Sequence, residues 1–278
     1  MNNCFLIALT SVFFCLSVLA QDPAPAASGS PEKPSSAAVQ PSDVKAEEVI
    51  KRAVQTLGGE RYLNVRSQVG RGKFSVIKDG VNVSFQSFTD VIVYPDKERT
   101  EFKGGGTRTI QVNSGGSGWV YDGDQDQVRD QTEKQVANFQ RGLRTSLDNL
   151  LRGHWRGTAK LTYVGRRPAS LGKRNDVVKL AYDDGFSVEF EFAADDGLPQ
   201  KALYTTVNPD SEQLAEEDRY AQFVETDGIK APYIVAHFVK GEPASRINYE
   251  SISYNVTVPN KAFSKPASAK EAKRDLKL

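Results

Sequence analysis

Two periodicities divide the chain. Between Asp43 and Gly58, apolar residues recur at helical spacing: Ala46, Ile50, Ala53, Val54 and Leu57 form one stripe. Ser42 or Asp43 is placed to cap this helix. Glu47 and Glu48 stand in its first turn, where the helix dipole favours acids, and Gly58-Gly59 ends it. Such a helix is marginal alone in water, so its stripe must dock on something. After Val65 the period becomes two. Asp-Gly recurs at Asp79-Gly80, Asp122-Gly123, Asp184-Gly185, Asp196-Gly197 and Asp227-Gly228. Asp-Gly between strand-like runs is the strongest short hairpin signal, so an antiparallel meander is predicted. Parallel units would need long helical crossovers.

Helical spacing returns over Glu133 to Leu151, where Val136, Phe139, Leu143, Leu147 and Leu150 share a stripe. Arg141, Arg144 and Arg152 occupy the polar side, and Gly153 closes the helix. Just upstream, Arg99 to Val128 holds three short strand-like runs joined by Gly-rich turns, with Trp119 and Tyr121 on one side of the third. Two hairpins can be registered. A two-residue turn at Asp79-Gly80 sets Val76 opposite Val83 and Phe74 opposite Phe85. A three-residue turn at Asp183-Asp184-Gly185 sets Tyr182 opposite Phe186, Leu180 opposite Val188 and Val178 opposite Phe190.

The predicted fold is mainly β: a single antiparallel curved sheet forming a half-open β-barrel, with two or more helices covering its mouth. Long, twisted antiparallel strands curl. The aromatic face of Phe85, Tyr182, Phe186, Phe190 and Phe192 then either fills the centre or lines a ligand cavity. Trp119 and Tyr121 from the sheet, and Phe139, Leu143 and Leu147 from the second helix, belong to the same candidate lining.

Tyr94-Pro95-Asp96-Lys97-Glu98-Arg99-Thr100-Glu101, then Trp119-Val120-Tyr121-Asp122 and Gln127-Val128, resemble the strands of the periplasmic lipoprotein-carrier superfamily (LolA/LolB-like). Asp227-Gly228-Ile229 with Pro232, then Ile252, Asn255 and Phe263-x-x-Pro266, resemble its closing strands. The likeness runs from about Val44 to Pro266, interrupted by the Gly104–Gly106 and Gly115–Gly118 insertions. The resemblance implies a carrier that holds acyl chains or a lipidated protein under a helical lid without chemical turnover. It also implies that Arg99 latches the lid, by reaching from the sheet to carbonyls of the covering helices.

Met1 to Ala20 reads as a cleaved leader ending at Val18-Leu19-Ala20, the other reading being an uncleaved anchor. Residues before Cys15 are too bulky for a lipidation site. Gln21 to Pro41, rich in Pro, Ala and Ser, reads as a disordered linker before a domain over 42–266. Residues 267–278 read as a charged tail. Both cysteines leave with the leader, so no disulfide is expected. The protein is therefore expected in the periplasm, as a monomer.

No catalytic set is present, and no enzyme activity or cofactor is expected. His154 and His237 are the only histidines and are far apart in sequence, and there is no nucleophile elbow or phosphate-binding loop. Asp122, Asp124, Asp126, Val128, Asp130 and Glu133 match the spacing of a calcium loop. Gln127 stands where that loop needs Gly, so a solvated strand turn is the better reading and no metal is assigned. Arg152 to Arg174 is basic around Trp155. With Lys+Arg 36 against Asp+Glu 35 overall, acidic headgroups or an acidic envelope partner fit it better than nucleic acid; a solvated face is the alternative.

Overall fold

The computed structural model describes residues 43–274 and 276. The expected leader and linker, both cysteines and Ser42 lie outside the described residues.

Helix α1 (Val44–Leu57) starts at Asp43, whose carboxylate accepts the Lys45 and Ala46 amides, and closes at Gly58 with φ 129°. The same carboxylate accepts the Tyr163 amide at 3.1 Å, so the cap also ties the helix to the sheet. A single turn, α2 (Glu60–Leu63), leads into a long hairpin of β1 (Ser67–Lys78) and β2 (Val81–Val93). The meander continues through β3 (Lys97–Gly104), β4 (Thr107–Ser114), β5 (Ser117–Asp122) and β6 (Gln127–Asp130). Helices α3 (Glu133–Thr145) and α4 (Leu147–Leu151) interrupt it. A second meander follows: β7 (Ala159–Pro168), β8 (Arg174–Tyr182), β9 (Ser187–Ala193), β10 (Pro199–Val207), β11 (Gln213–Thr226), β12 (Ile229–Val239) and β13 (Glu242–Tyr254).

All neighbours pair antiparallel in one 13-stranded sheet, ordered β6-β5-β4-β3-β2-β1-β13-β12-β11-β10-β9-β8-β7. The two meanders meet at a single seam, β1 against β13. The outermost strands, β6 and β7, do not pair, so the sheet is an open half-barrel and not a closed one.

Turn chemistry explains most of the register. Asp79 and Gly80 both have positive φ (52° and 75°), as do Asp227 and Gly228 (53° and 73°), which is the backbone that matches strand twist. The three-residue turn is as expected: the Tyr182 amide donates to the Phe186 carbonyl at 2.9 Å, Leu180 pairs with Val188 and Val178 with Phe190. The first hairpin differs. Beyond Ile77–Asn82 the register shifts, so Val76 pairs with Ser84 and Phe74 with Gln86. Val83 is the extra residue of a bulge, and one extra residue turns every later side chain to the other face. Phe85 therefore points outward, 61% exposed.

The second helix is also not continuous. Ser146, with ψ 146°, ends α3 and caps α4, and its hydroxyl accepts the Asn149 amide. The same hydroxyl donates to the Leu143 carbonyl, offering the backbone an alternative to the helical ladder at that residue.

The helices cover the concave face. Under α1, Leu180, Phe190 and Phe192 are fully buried. The outer face of β3 to β5 has its own cover. Ile110, Val112, Trp119 and Tyr121 pack there against Phe263 and the short helix α5 (Ala269–Ala272). The stretch expected as a tail without a partner thus docks: Arg108 donates to the Lys273 carbonyl at 2.6 Å, and Lys273 pairs with Asp126 at 2.7 Å.

The seam is the weak point of this topology, because no other strand pair joins the two meanders. Gly72 sits there at a register shift, and a Cβ added to it would lie 2.1 Å from the Asn248 carbonyl oxygen. Gly72→Ala is expected to cost about 2 kcal/mol or more by forcing the strands apart. An unchanged urea unfolding midpoint would show that the seam yields without cost.

Candidate functional site

The concave face holds a hollow of about 160 Å³ between the central strands and the helices. Its sheet side comes from β11 to β13 and carries Tyr220, Val235, Ile247, Tyr249, Ile252 and Tyr254; its helix side carries Leu57, Tyr62, Leu147 and Leu151. A second hollow of about 210 Å³ lies under α3, bordered by Phe139, Leu143 and Glu98. Ile92, Ser146 and Asp148 border both, so the two hollows adjoin across the break between α3 and α4.

At that junction one charged node clamps the cover. Arg152 Nε donates to Asp148 Oδ1 at 2.7 Å across one helical turn. Its Nη1 donates to the carbonyls of Tyr62, Leu63 and Val65 at 2.8, 3.3 and 3.1 Å, at and beyond the end of α2. The Tyr62 and Tyr94 hydroxyls donate to the two Asp148 oxygens at 2.8 and 3.0 Å. The guanidinium also lies 4.4 Å from the Tyr62 ring centre and 4.0 Å from that of Tyr94. Burial disfavours the Arg152 charge, but Asp148 and the two phenols outweigh it and raise its pKa. Burial, and then the Asp148 charge, push both phenols well above their ordinary value. The node therefore joins α2, α4 and the β2–β3 turn.

The expected latch, Arg99, is not part of it. Arg99 lies on the outer face and donates to the Ala262 carbonyl at 3.3 Å, with its guanidinium 5.7 Å from the Trp119 ring centre. It holds down the C-terminal segment instead of the lid. The reason is strand alternation: Glu98, its neighbour, takes the concave side. The same alternation puts Trp119 and Tyr121 on the outer face, with the Trp119 indole donating to the Phe263 carbonyl at 3.0 Å. Of the other candidate residues, Leu147 borders the first hollow, and Phe139 and Leu143 the second. Phe190 and Phe192 are packed solid under α1, with Tyr182 and Phe186 beside them.

What sequence reasoning missed is the tyrosine lining and Arg152. The signal for Arg152 was its spacing of four residues from Asp148 within the helix. It was hidden by the basic stretch that follows, most of which has internal partners: Arg156 with Glu47, Arg166 with Asp176, Arg167 with Glu189 and Lys173 with Asp195. The calcium-like acids do not converge either. Asp122 accepts the Asp124 and Gln125 amides, and among the described residues no group of three or more His, Cys, Asp or Glu is placed to hold a metal ion.

The concave floor is polar in places. Thr100 donates to Asp90 at 2.8 Å, with Glu98 bonded to the same carboxyl, and all three are buried. Burial outweighs these bonds and pushes Asp90 from 3.8 up to about 7.

Two outcomes are expected. Arg152→Met removes the guanidinium from Asp148, which keeps its two phenol donors, and from three carbonyls. It should cost about 2–3 kcal/mol, less than a fully buried pair because Asp148 keeps some solvent, and should raise hydrogen exchange in α2 and α4 first. Uniform exchange across the protein would refute the clamp. For Asp90, the folded state holds its proton more tightly than the unfolded chain, so stability falls as pH rises from about 4 through about 7. Asp90→Asn should flatten that fall by about 1 kcal/mol or more, or about 2–4 °C in the unfolding temperature. Parallel curves for the two proteins would rule this out.

No protein-family model and no curated protein matches this sequence. Solved structures do match its fold. A DUF1329 family protein from Desulfovibrio piger aligns at 14% identity with a TM-score of 0.57. A LolA superfamily protein from Nitrosomonas europaea aligns at 14% and 0.54. A domain assigned to an outer membrane lipoprotein-sorting protein from Vibrio parahaemolyticus aligns at 10% and 0.52. Each alignment covers 79% of this chain and 97% of the other. The open antiparallel half-barrel, with its concave face under helices, is therefore a LolA-like fold.

Proposed function

We propose that this protein is an exported, periplasmic carrier that holds acyl chains, free or on a lipidated protein, under its helical cover. The observation that carries this reading is the pair of adjoining, mostly apolar hollows beneath a cover fastened by one clamp. At about 160 and 210 Å³, each is smaller than the roughly 300–1,000 Å³ typical of ligand sites. A long chain thus requires the hollows to merge, and the helix break at Ser146 is where α3 and α4 can part. The lipoprotein-sorting assignment of a structural neighbour agrees with this cargo. The leader pattern at Met1–Ala20 agrees with export, and among the described residues no helix is long and apolar enough to cross a membrane.

The rival reading is a non-catalytic interaction module with a filled core. It is favoured by the solid packing around Phe190 and Phe192, but that packing lies to one side of the hollows.

Leu147 borders the first hollow from the first residue of α4. Leu147→Asp places a charge where an acyl chain would lie and should weaken a fluorescent fatty-acid analogue by 100-fold or more, about 3 kcal/mol. The far-ultraviolet β spectrum should persist. Undiminished binding would move the site elsewhere, and no binding by the parent protein would favour the module.

A further inference from the structure

One end of the first hollow is chemically unlike the rest. Asp218, His237 and Ser245 border it, from three adjacent strands. Asp218 stands opposite His237, and His237 opposite Ser245, in register. His237 Nδ1 bonds Asp218 Oδ1 at 2.8 Å, and the Tyr204 hydroxyl reaches Asp218 Oδ2 at 3.4 Å. On the other side of the ring, Nε2 lies 3.5 Å from Glu216 Oε2 without a hydrogen bond; Thr206 donates to the second Glu216 oxygen.

His237 Nε2, Ser245 Oγ and Glu216 Oε2 are all buried and have no hydrogen-bond partner. Their residues are 2%, 1% and 3% exposed. Buried polar atoms without partners are costly, and native proteins keep few of them. Two of them, on His237 and Ser245, belong to residues that border one end of the apolar hollow, and they mark a place where a ligand's polar end completes the bonding. They do not form a nucleophilic triad, since the serine hydroxyl is bonded to nothing and Nε2 faces the glutamate.

We propose that this end of the cavity is a polar subsite for an uncharged oxygen function, a hydroxyl or an ester carbonyl, at the end of a single-chain amphiphile. The identification follows by elimination. Burial opposes charge on His237, but its bond to Asp218 and the nearby acids outweigh this and raise its pKa. With Nδ1–H directed at Asp218, Nε2 donates on the charged ring and accepts on the neutral one. An ammonium can only donate, whereas a hydroxyl meets either state. Asp218 borders the site, so a carboxylate would meet like charge in a dry environment. A hydroxyl can bond His237 in either state and can both give to and accept from Ser245, while an ester carbonyl can accept from both. This rests on the carriage reading and names the ligand class within it.

Ser245→Ala is the discriminating variant, because it removes only an unpartnered hydroxyl. Displacement of a diphenylhexatriene probe from the full-length protein by decanol, decanoate and decane gives the readout, at a pH where the acid is ionised. The parent protein is expected to bind decanol tighter than decanoate. Ser245→Ala should weaken decanol by about 3- to 10-fold, the worth of one hydrogen bond, and leave decane unchanged. Without ligand the variant should unfold at the same or a higher temperature. His237→Gln should lose the preference for decanol as well. If Ser245→Ala leaves decanol binding unchanged, or decanoate binds the parent as tightly as decanol, the subsite is refuted while carriage stands. If the probe itself does not bind, carriage falls and the subsite with it.

Discussion

The cover over the sheet depends on Arg152. An open half-barrel exposes its concave face unless helices lie across it, and two of the covering helices here are short. α2 and α4 are each about one turn, too short to be stable alone. Tyr62, Leu150 and Leu151 pack them into the core, and one guanidinium joins them by serving three carbonyls at and beyond the end of α2 while bonding Asp148 on α4. A guanidinium suits this position because it has five donors in a fixed fork, remains charged when desolvated and stacks on rings. A lysine at the same place could not serve all these partners. The phenols complete the arrangement by giving Asp148 two further donors, so the charges enter the interior with nearly all of their bonding met.

Concentrating the closure in one node has a functional consequence. A cover held by a broad apolar interface opens gradually and at large cost. Here the two are combined: Tyr62, Leu150 and Leu151 pack into the apolar core, and the polar node joins the helices at the edge of the hollow. The break at Ser146 adds to this, since it removes helical continuity between α3 and α4 at the point where the hollows adjoin. The solid packing under α1 is the complementary half. Phe190, Phe192 and Leu180 are fully buried there and fix that side of the sheet.

Much of the fold was legible in the sequence. The Asp-Gly turns fixed the antiparallel order, α1 was bounded by its own cap and glycine, and the three-residue turn gave the right pairs. What failed did so through strand alternation, where a single residue decides the face. The bulge at Val83 has no sequence mark of its own, and it sent Phe85 outward. Arg99 and Trp119 were placed on the right strands but on the wrong side, because the outer face of β3 to β5 is itself buried. Two-sided burial removes the polar–apolar contrast from which a facing is read. Arg152 failed differently: a guanidinium buried by distant carbonyls looks, in sequence, like any other basic residue.

The outer cover bears on why the site is where it is. Residues 260–274 bury Ile110, Val112, Trp119 and Tyr121 from behind, with Arg99 holding the Ala262 carbonyl. This stiffens β3 to β5 without using the concave face. The concave side in front is packed where Phe74, Phe88 and Phe102 meet Ile247, and it carries hollows and buried polar groups beside that cluster. A sheet covered only on its concave side would have to fill that side to remain stable, as the second meander does under α1. The second meander is filled under α1, and the first carries a packed cluster on each of its faces. The hollows lie beside these packed regions, the first against the strands next to the seam and the second under α3.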